Sequence, residues 1–230
     1  MNKILIIGAS GHAKVAIDII EKEGKYKIFG IIDTFKEKGD SVFGYEILGT
    51  EKDITKIILE NRILGGFIAI GDNWSRYTIY KQIKKLNTDF DFISIIHPHT
   101  CIGKGVKIGK GTVIMPGAVL NCDSVIGDFC IVNTSASIDH ESKMENFSSI
   151  GPGANTGGNV SIGKFTAISI GAKIIENITI KEHTVVGAGA VVLKNIENYK
   201  VAYGVPAVEI RDRVKGEKYL ARNMYLETKI

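Results

Sequence analysis

Asp139-His140-Glu141 sets an imidazole between two carboxylates. Histidine is the side chain whose ordinary pKa lets it take up a proton near neutrality, so it can act as a general base without a large shift. A carboxylate beside it can hold its tautomer and stabilise the imidazolium that forms. The alternative is a solvated turn with no chemistry. A second group of residues suits anions. Gly8-Ala9-Ser10-Gly11-His12-Ala13 pairs glycines that permit tight turning with a following helix whose N-terminal amides favour negative charge. It is not the dinucleotide fingerprint, because Ser10 and Ala13 stand where that pattern needs glycine. A turn that only connects strand to helix is the alternative reading. Asp33 and Gly71-Asp72-Asn73 add a carboxylate and open backbone that suit a ribose or a base.

The elements that position these residues follow two different patterns, divided near residue 95. From Met1 to about Phe92, short apolar runs alternate with amphipathic stretches: strands over 3–7, 27–32 and 66–70, helices over 13–22, 53–59 and 76–86. That alternation predicts a small parallel sheet covered by helices. Such sheets bind ligands beyond the carboxyl ends of their strands, where Ser10, Asp33 and Gly71 fall.

From residue 100 the period is six. Every sixth position from Ile102 to Val192 is aliphatic or Met except Thr156, and the position two residues earlier is small or short in every hexad but that of Ile178. Glycine follows this sixth position at 103, 109, 127, 151, 157, 163 and 187. Each hexad reads as one short strand and a turn, with the large and small residues inward and glycine expected at the tight corner. No hexad can bury its apolar face alone, so the hexads stack into a parallel β-helix of roughly five coils.

Composition narrows the function classes. The 230 residues are 44% hydrophobic and 23% charged, with a net charge of +4 spread thinly. No basic stripe marks a nucleic-acid surface, and no window has the uninterrupted apolar length of a membrane span. Cys101, Cys122 and Cys130 form no CxxC pair, so they read as reduced thiols and the chain as cytoplasmic. A nucleophilic role for one of them is less expected than packing. His12, His97, His99, His140 and His183 show no metal-ligand spacing, and a metal-free protein is expected. His97, His99 and His183 read as linker or surface residues.

The hexads resemble the left-handed β-helix of hexapeptide-repeat acyltransferases. Gly8-Ala9-Ser10-Gly11-His12, Ile70-Gly71-Asp72-Asn73, Asn133-Thr134-Ser135, Asp139-His140-Glu141 and Gly204-Val205-Pro206-Ala207 together are similar to the family of sialic acid O-acetyltransferases and UDP-4-amino-sugar N-acetyltransferases of the bacillosamine type. The resemblance, which extends to about residue 210, implies a Rossmann-like nucleotide-sugar domain over 1–95 and a left-handed β-helix over 96–210; residues 211–230 read by their own composition as a charged helical tail. It implies a homotrimer, acetyl-CoA as co-substrate, and N-acetylation of a nucleotide-linked amino sugar, with a UDP-4-amino-4,6-dideoxyhexose for surface glycan or glycoprotein synthesis as the expected acceptor. O-acetylation of sialic acid is the nearest rival. A catalytically silent sugar-nucleotide-binding β-helix is the rival from another class.

The resemblance also implies roles. His140 becomes the catalytic base and Glu141 the carboxylate that raises its basicity, in a direct transfer without an acyl-enzyme. Ser10, Gly11 and His12 approach the diphosphate or ribose, Asp33 the base or ribose, Gly71 the nucleotide or sugar, and Asn133 the sugar acceptor. Gly158 supplies an amide to the acetyl oxygen, and Ile170 and Ala188 contact the coenzyme. Two positions depart from the family pattern. Ser149 stands where bacillosamine-type enzymes carry a second histidine near the thioester, and its hydroxyl is expected to donate a hydrogen bond there. Thr34 stands where a second acidic residue often follows the equivalent of Asp33.

Overall fold

The computed structural model describes residues 1–220. In its first part, β1 (Asn2–Ile7), α1 (Gly11–Glu23), β2 (Tyr26–Ile32), β3 (Ser41–Val42), β4 (Tyr45–Gly49), α2 (Ile54–Asn61), β5 (Gly65–Ile68), α3 (Asn73–Leu86) and β6 (Asp91–Phe92) follow in order. They form one sheet, β3-β4-β2-β1-β5-β6, parallel except for the β3–β4 hairpin. Ile4 to Ile7 are fully buried because helices cover both faces. The chain leaves β1 for β2 on one side and later pairs β5 on the other, so a crevice opens at the carboxyl ends of these three strands. The hairpin and β6 were not foreseen: β3 and β6 have two residues each outside any repeat, and β4, Tyr45–Gly49, is a short five-residue strand. Helix α3 starts three residues earlier than expected because the Asp72 carboxylate caps it, accepting a hydrogen bond from Ser75 N at 2.8 Å.

The second part is the expected β-helix. Two-residue strands pair in parallel with partners eighteen residues on, as in Val113↔Ile131 and Ser149↔Ala167. They form three faces. The first runs from Ile95–Ile96 to Val185–Val186 and is extended by Lys200–Gly204 and Ala207–Asp212; the second runs from Cys101–Ile102 to Val191–Val192; the third runs from Lys107–Ile108 to Thr179–Ile180. The aliphatic and small positions of the hexads line one continuous core. Small polar residues in it find partners, Ser124 Oγ excepted: Thr166 Oγ1 donates to Lys181 O at 2.6 Å and accepts from Thr184 N at 3.1 Å. Cys130 belongs to this core, its Sγ 3.2 Å from Glu145 O and its pKa raised chiefly by burial, which fits packing rather than nucleophilic chemistry. Helix α1 lies on the first face, where the outward residues Ile95, Val113 and Ile131 join the core of the front sheet.

Glycine does not act as expected at the hexad turns. The left-handed backbone falls three residues after each aliphatic position, in three columns spaced by eighteen: 105, 123, 141, 159 and 177; 111, 129, 147, 165 and 183; 117, 135, 153, 171 and 189. The glycines directly after the aliphatic positions answer a different need. A Cβ on Gly103 would lie 2.8 Å from Cys122 N, and one on Gly163 would lie 2.6 Å from Glu182 N, so bare backbone is required for coils to stack.

His183, expected at the surface, is buried in the middle column, where its ring lies between Phe165 (centroids 4.6 Å apart) and Tyr199 (4.8 Å). His97, read as a linker residue, is also buried, its Nδ1 accepting from His99 N at 3.0 Å. The tail differs as well. Residues 211 and 212 finish a strand paired to Lys200–Gly204, and 213–220 fold as turns rather than helix. Arg213 anchors them, donating from Nη1 to His183 O at 3.0 Å. The remainder of the expected helix, 221–230, lies outside the described residues.

Candidate active site

The crevice of the front sheet and the first face of the β-helix meet in a cleft of about 540 Å³. From the front domain come Ser10, Gly11, His12 and Gly71; from the β-helix come Asn133, Ser149, Ile170 and Ala188. Seven of the sequence candidates thus join in one cavity with Ser10 as the eighth. Ser10 also lines a neighbouring cavity of about 520 Å³ with Asp33, Thr34, Glu51 and Trp74, so the two spaces share a wall.

Backbone geometry prepares the turn around Ser10. Gly8 has φ +105°, and a Cβ there would sit 2.9 Å from Ala69 O, so only glycine fits. Ser10 occupies the N-cap of α1, yet its hydroxyl bonds none of the helix amides. A Cβ on Gly11 would meet nothing within 4 Å. An anion therefore finds open space, a free hydroxyl and a helix N-terminus together. His12 lies beside them. Burial, aided by the Arg76 guanidinium, pushes its pKa down to about 4. At neutral pH it is an uncharged hydrogen-bonding group and a weak base.

Asp33 is committed mainly to its own loops, accepting from Ala9 N (2.8 Å), Phe35 N (2.8 Å) and Lys36 N (3.0 Å). It holds the β1 and β2 turns together at the rim of the second cavity. Thr34 was a departure from the family pattern, but its hydroxyl donates to the Glu51 carboxylate. An acidic group absent at 34 therefore reaches the same cavity from the end of β4. Glu51 escaped the sequence reading because only the strand order brings it beside Thr34.

His140 lies elsewhere. It sits between the second and third faces, while Asn133 and Ser149 flank the turn between the first and second. A spacing of seven residues is one side of the triangular coil rather than a full coil, so His140, Glu141 and Gly158 line neither cavity. Their local geometry is well defined. Asp139 accepts from His140 N at 2.7 Å and from Asn121 Nδ2 at 2.7 Å, which holds its own carboxyl below the usual range. Glu141 takes the left-handed corner, φ +58°, and its Oε2 is 3.2 Å from His140 Nδ1. With a proton on Nδ1 toward that carboxylate, Nε2 carries the lone pair. The ring lies over Gly158, where a Cβ would come 2.5 Å from His140 Cε1. The His140 side chain keeps 59% of its exposure.

The tail supplies a residue that sequence reading missed. Tyr219 lines the cleft with Leu220. Its hydroxyl lies 3.0 Å from Ser149 Oγ and 3.0 Å from Gly71 O, and its backbone N donates to Asp72 Oδ2 at 3.2 Å. Gly71 O also accepts from Arg76 Nη1 at 2.9 Å. Gly71, expected to approach nucleotide or sugar, lines the cleft, but its carbonyl is occupied by the protein. Arg76 is itself 1% exposed, its Nε donating to Phe129 O at 2.9 Å, and it ties the front domain to the β-helix. Among the described residues no group of three or more His, Cys, Asp or Glu could hold a metal, and no helix is long and apolar enough to cross a membrane.

Known proteins share this architecture. Residues 3–83 match the PglD N-terminal domain. A UDP-N-acetylbacillosamine N-acetyltransferase of Bacillus subtilis is 32% identical over 119 residues, 50% of this chain and 52% of that protein. The match therefore spans about half the length of that curated relative. A solved perosamine N-acetyltransferase of Caulobacter crescentus, a histidine-to-asparagine mutant in complex with CoA and GDP-perosamine, superposes with a TM-score of 0.86 at 31% identity, over 92% of this chain and 98% of that one. The acetyltransferase domain of PglB from Neisseria gonorrhoeae, in complex with acetyl coenzyme A, gives 0.82 at 32% identity, over 91% and 100%. With its Rossmann-like domain followed by a left-handed β-helix, the chain belongs to the hexapeptide-repeat family of sialic acid O-acetyltransferases and nucleotide-amino-sugar N-acetyltransferases.

Proposed function

We propose that this protein is an acetyl-CoA-dependent N-acetyltransferase acting on the amino group of a nucleotide-linked 4-amino-4,6-dideoxy sugar, and that it works as a homotrimer. The observation that carries the reading is the exposed His140–Glu141 pair, its ring seated on a glycine. His140 Nε2 accepts the proton of the amine as its nitrogen attacks, and the imidazolium, steadied by Glu141, returns that proton to the departing thiolate. The Gly158 N–H, without a backbone partner among the described residues, donates to the oxygen that gains charge. His140 sits at a different corner from the cleft, so the working arrangement brings His140 of one copy against the cleft of the next.

Acetyl-CoA supplies the acetyl thioester. Its long arm fits the turn column beside Ser149, Ile170 and Ala188, where Gly153, Gly171 and Gly189 leave open space and Ile170 is 58% exposed. The nucleotide belongs in the cavity of Asp33, Thr34 and Glu51, with Phe35, 96% exposed, at its rim to stack on a base. The Glu51 carboxylate offers acceptors alone, which suits the adjacent N1–H and N2–H donors of guanine better than the single N–H of uracil between two carbonyls. That favours a GDP-linked acceptor over a UDP-linked one. The test is continuous thiol release from acetyl-CoA with GDP-, UDP- and dTDP-linked 4-amino sugars and sialic acid. The expected result is turnover with one amino sugar that collapses in His140→Ala. Turnover with sialic acid alone would move the reading to O-acetylation, and CoA or sugar-nucleotide binding without turnover would favour a silent binding protein.

A further inference from the structure

The hydrogens around Tyr219 can be counted. Gly71 O, a carbonyl, can only accept, so at 3.0 Å the Tyr219 hydroxyl must donate to it. Tyr219 has one O–H, and that proton is then spent. The 3.0 Å contact with Ser149 leaves one assignment: Ser149 Oγ–H donates to the Tyr219 oxygen. The opposite assignment would set two lone pairs against each other at Gly71. Ser149, buried at the wall of the cleft, therefore turns lone pairs and no proton toward whatever lies there.

Tyr219 is held well enough to impose this. Its backbone N bonds the Asp72 carboxylate that caps α3, and burial keeps the phenol protonated by raising its pKa. The segment leading to it is fixed by Glu217, whose Oε1 lies 2.7 Å from Arg211 Nη2 and whose Oε2 accepts from Val214 N at 3.2 Å. The tail thus reaches across from the last strand of the β-helix to the front domain and closes one wall of the cleft.

We infer that Tyr219 is a positioning residue that fixes Ser149 as a hydrogen-bond acceptor, so that the ligand group at this wall is a hydrogen-bond donor, such as an N–H, rather than a carbonyl. This reverses the expectation that Ser149 donates to the acetyl group, and it rests on the proposed use of the cleft. Two ligands of that reaction carry such a donor: the amides of the coenzyme's pantetheine arm and the amine of the acceptor sugar.

A double-mutant cycle tests it. Wild type, Tyr219→Phe, Ser149→Ala and the double variant are compared in CoA affinity by calorimetry and in KM and kcat for the amino sugar. Each single change should weaken binding of the N–H-bearing ligand about fivefold to tenfold, the scale of one hydrogen bond. The double variant should be no worse than Ser149→Ala, because Tyr219 acts through Ser149. A rise in Kd for CoA places the donor on the coenzyme; a rise in KM for the sugar with unchanged CoA affinity places it on the amine. Ser149→Thr, which keeps the hydroxyl, should restore the affected constant, and it carries the test if Tyr219→Phe does not fold. Additive losses, or unchanged Kd and KM in both single variants, overturn the inference. A wild type that binds no CoA overturns the functional reading instead, and the inference falls with it.

Discussion

Two corners of the β-helix share one backbone and carry opposite side chains. At the column of 105, 123, 141, 159 and 177 the left-handed residues are Gly, Asp, Glu, Asn and Asn, exposed beside His140; at 111, 129, 147, 165 and 183 they are Gly, Phe, Phe, Phe and His. The second column stacks with itself, Phe129 on Phe147 at 4.7 Å and 2°, and receives Trp74, Tyr77 and Tyr80 of α3 on its outer side. The difference lies wholly in what covers each corner. A coil that needs the same φ every eighteen residues leaves the side chain there free to vary. One corner docks the front domain and another presents His140, without changing the core that both rest on.

If that division holds, the largest effect belongs to His140→Ala. Turnover should fall between about a hundredfold and ten-thousandfold, the usual contribution of a positioned acid–base group. The thermal midpoint should stay near wild type, because the ring is exposed and its contact with Glu141 lies at the surface. A large drop in the midpoint would make this corner structural and erase the contrast. Phe147→Ala should do the reverse. Its ring is buried between Phe129, Phe165, Tyr77 and Tyr80, so denaturant unfolding should show a loss of about 3–5 kcal/mol. Turnover per folded molecule should remain near wild type.

The core of this arrangement was legible because a period of six recurs at Ile102, Ile108, Ile114 and onward without a gap in the chain. The corner columns were not, because Phe, Asp, Glu, Asn and Gly occupy positions of one backbone state and no residue type marks it. Knowing that Phe129, Phe147 and Phe165 form a ladder also requires knowing which corner faces α3. The crevice of the front sheet could be read from Ser10, Asp33 and Gly71 at strand ends, since parallel sheets fix where such ends gather. Glu51 and Tyr219 could not. Each reaches its partner through a contact set by tertiary packing, Thr34 in one case and Gly71 with Ser149 in the other.

Gly158→Ala sharpens the comparison within the exposed corner. The added Cβ would lie 2.5–2.6 Å from the His140 ring, which must tilt away on its exposed side. A displaced base costs roughly a hundredfold in turnover, while the coil beneath loses little stability. If turnover survives, Gly158 is only a stacking glycine like Gly163, and the seat of the imidazole is not part of the catalytic geometry.

The smallest effect probes the histidine of the aromatic corner. His183 stacks between Phe165 and Tyr199, and burial, with Arg213 and Lys215 nearby, lowers its pKa below the usual 6.5, although Glu182 acts the other way. The unfolded chain therefore binds a proton at His183 at a higher pH than the folded protein does. Stability from this site is full above the unfolded pKa and declines as pH falls from there toward the folded value. His183→Phe removes that dependence and continues the ladder, so it should add about 1 kcal/mol at neutral pH, the scale of one aromatic pair. The margin over wild type should widen as unfolding is measured at pH 6 and then pH 5. A margin that narrows on acidification would mean that protonated His183 is stabilised in the fold, and the corner would then be a charged contact rather than an apolar dock.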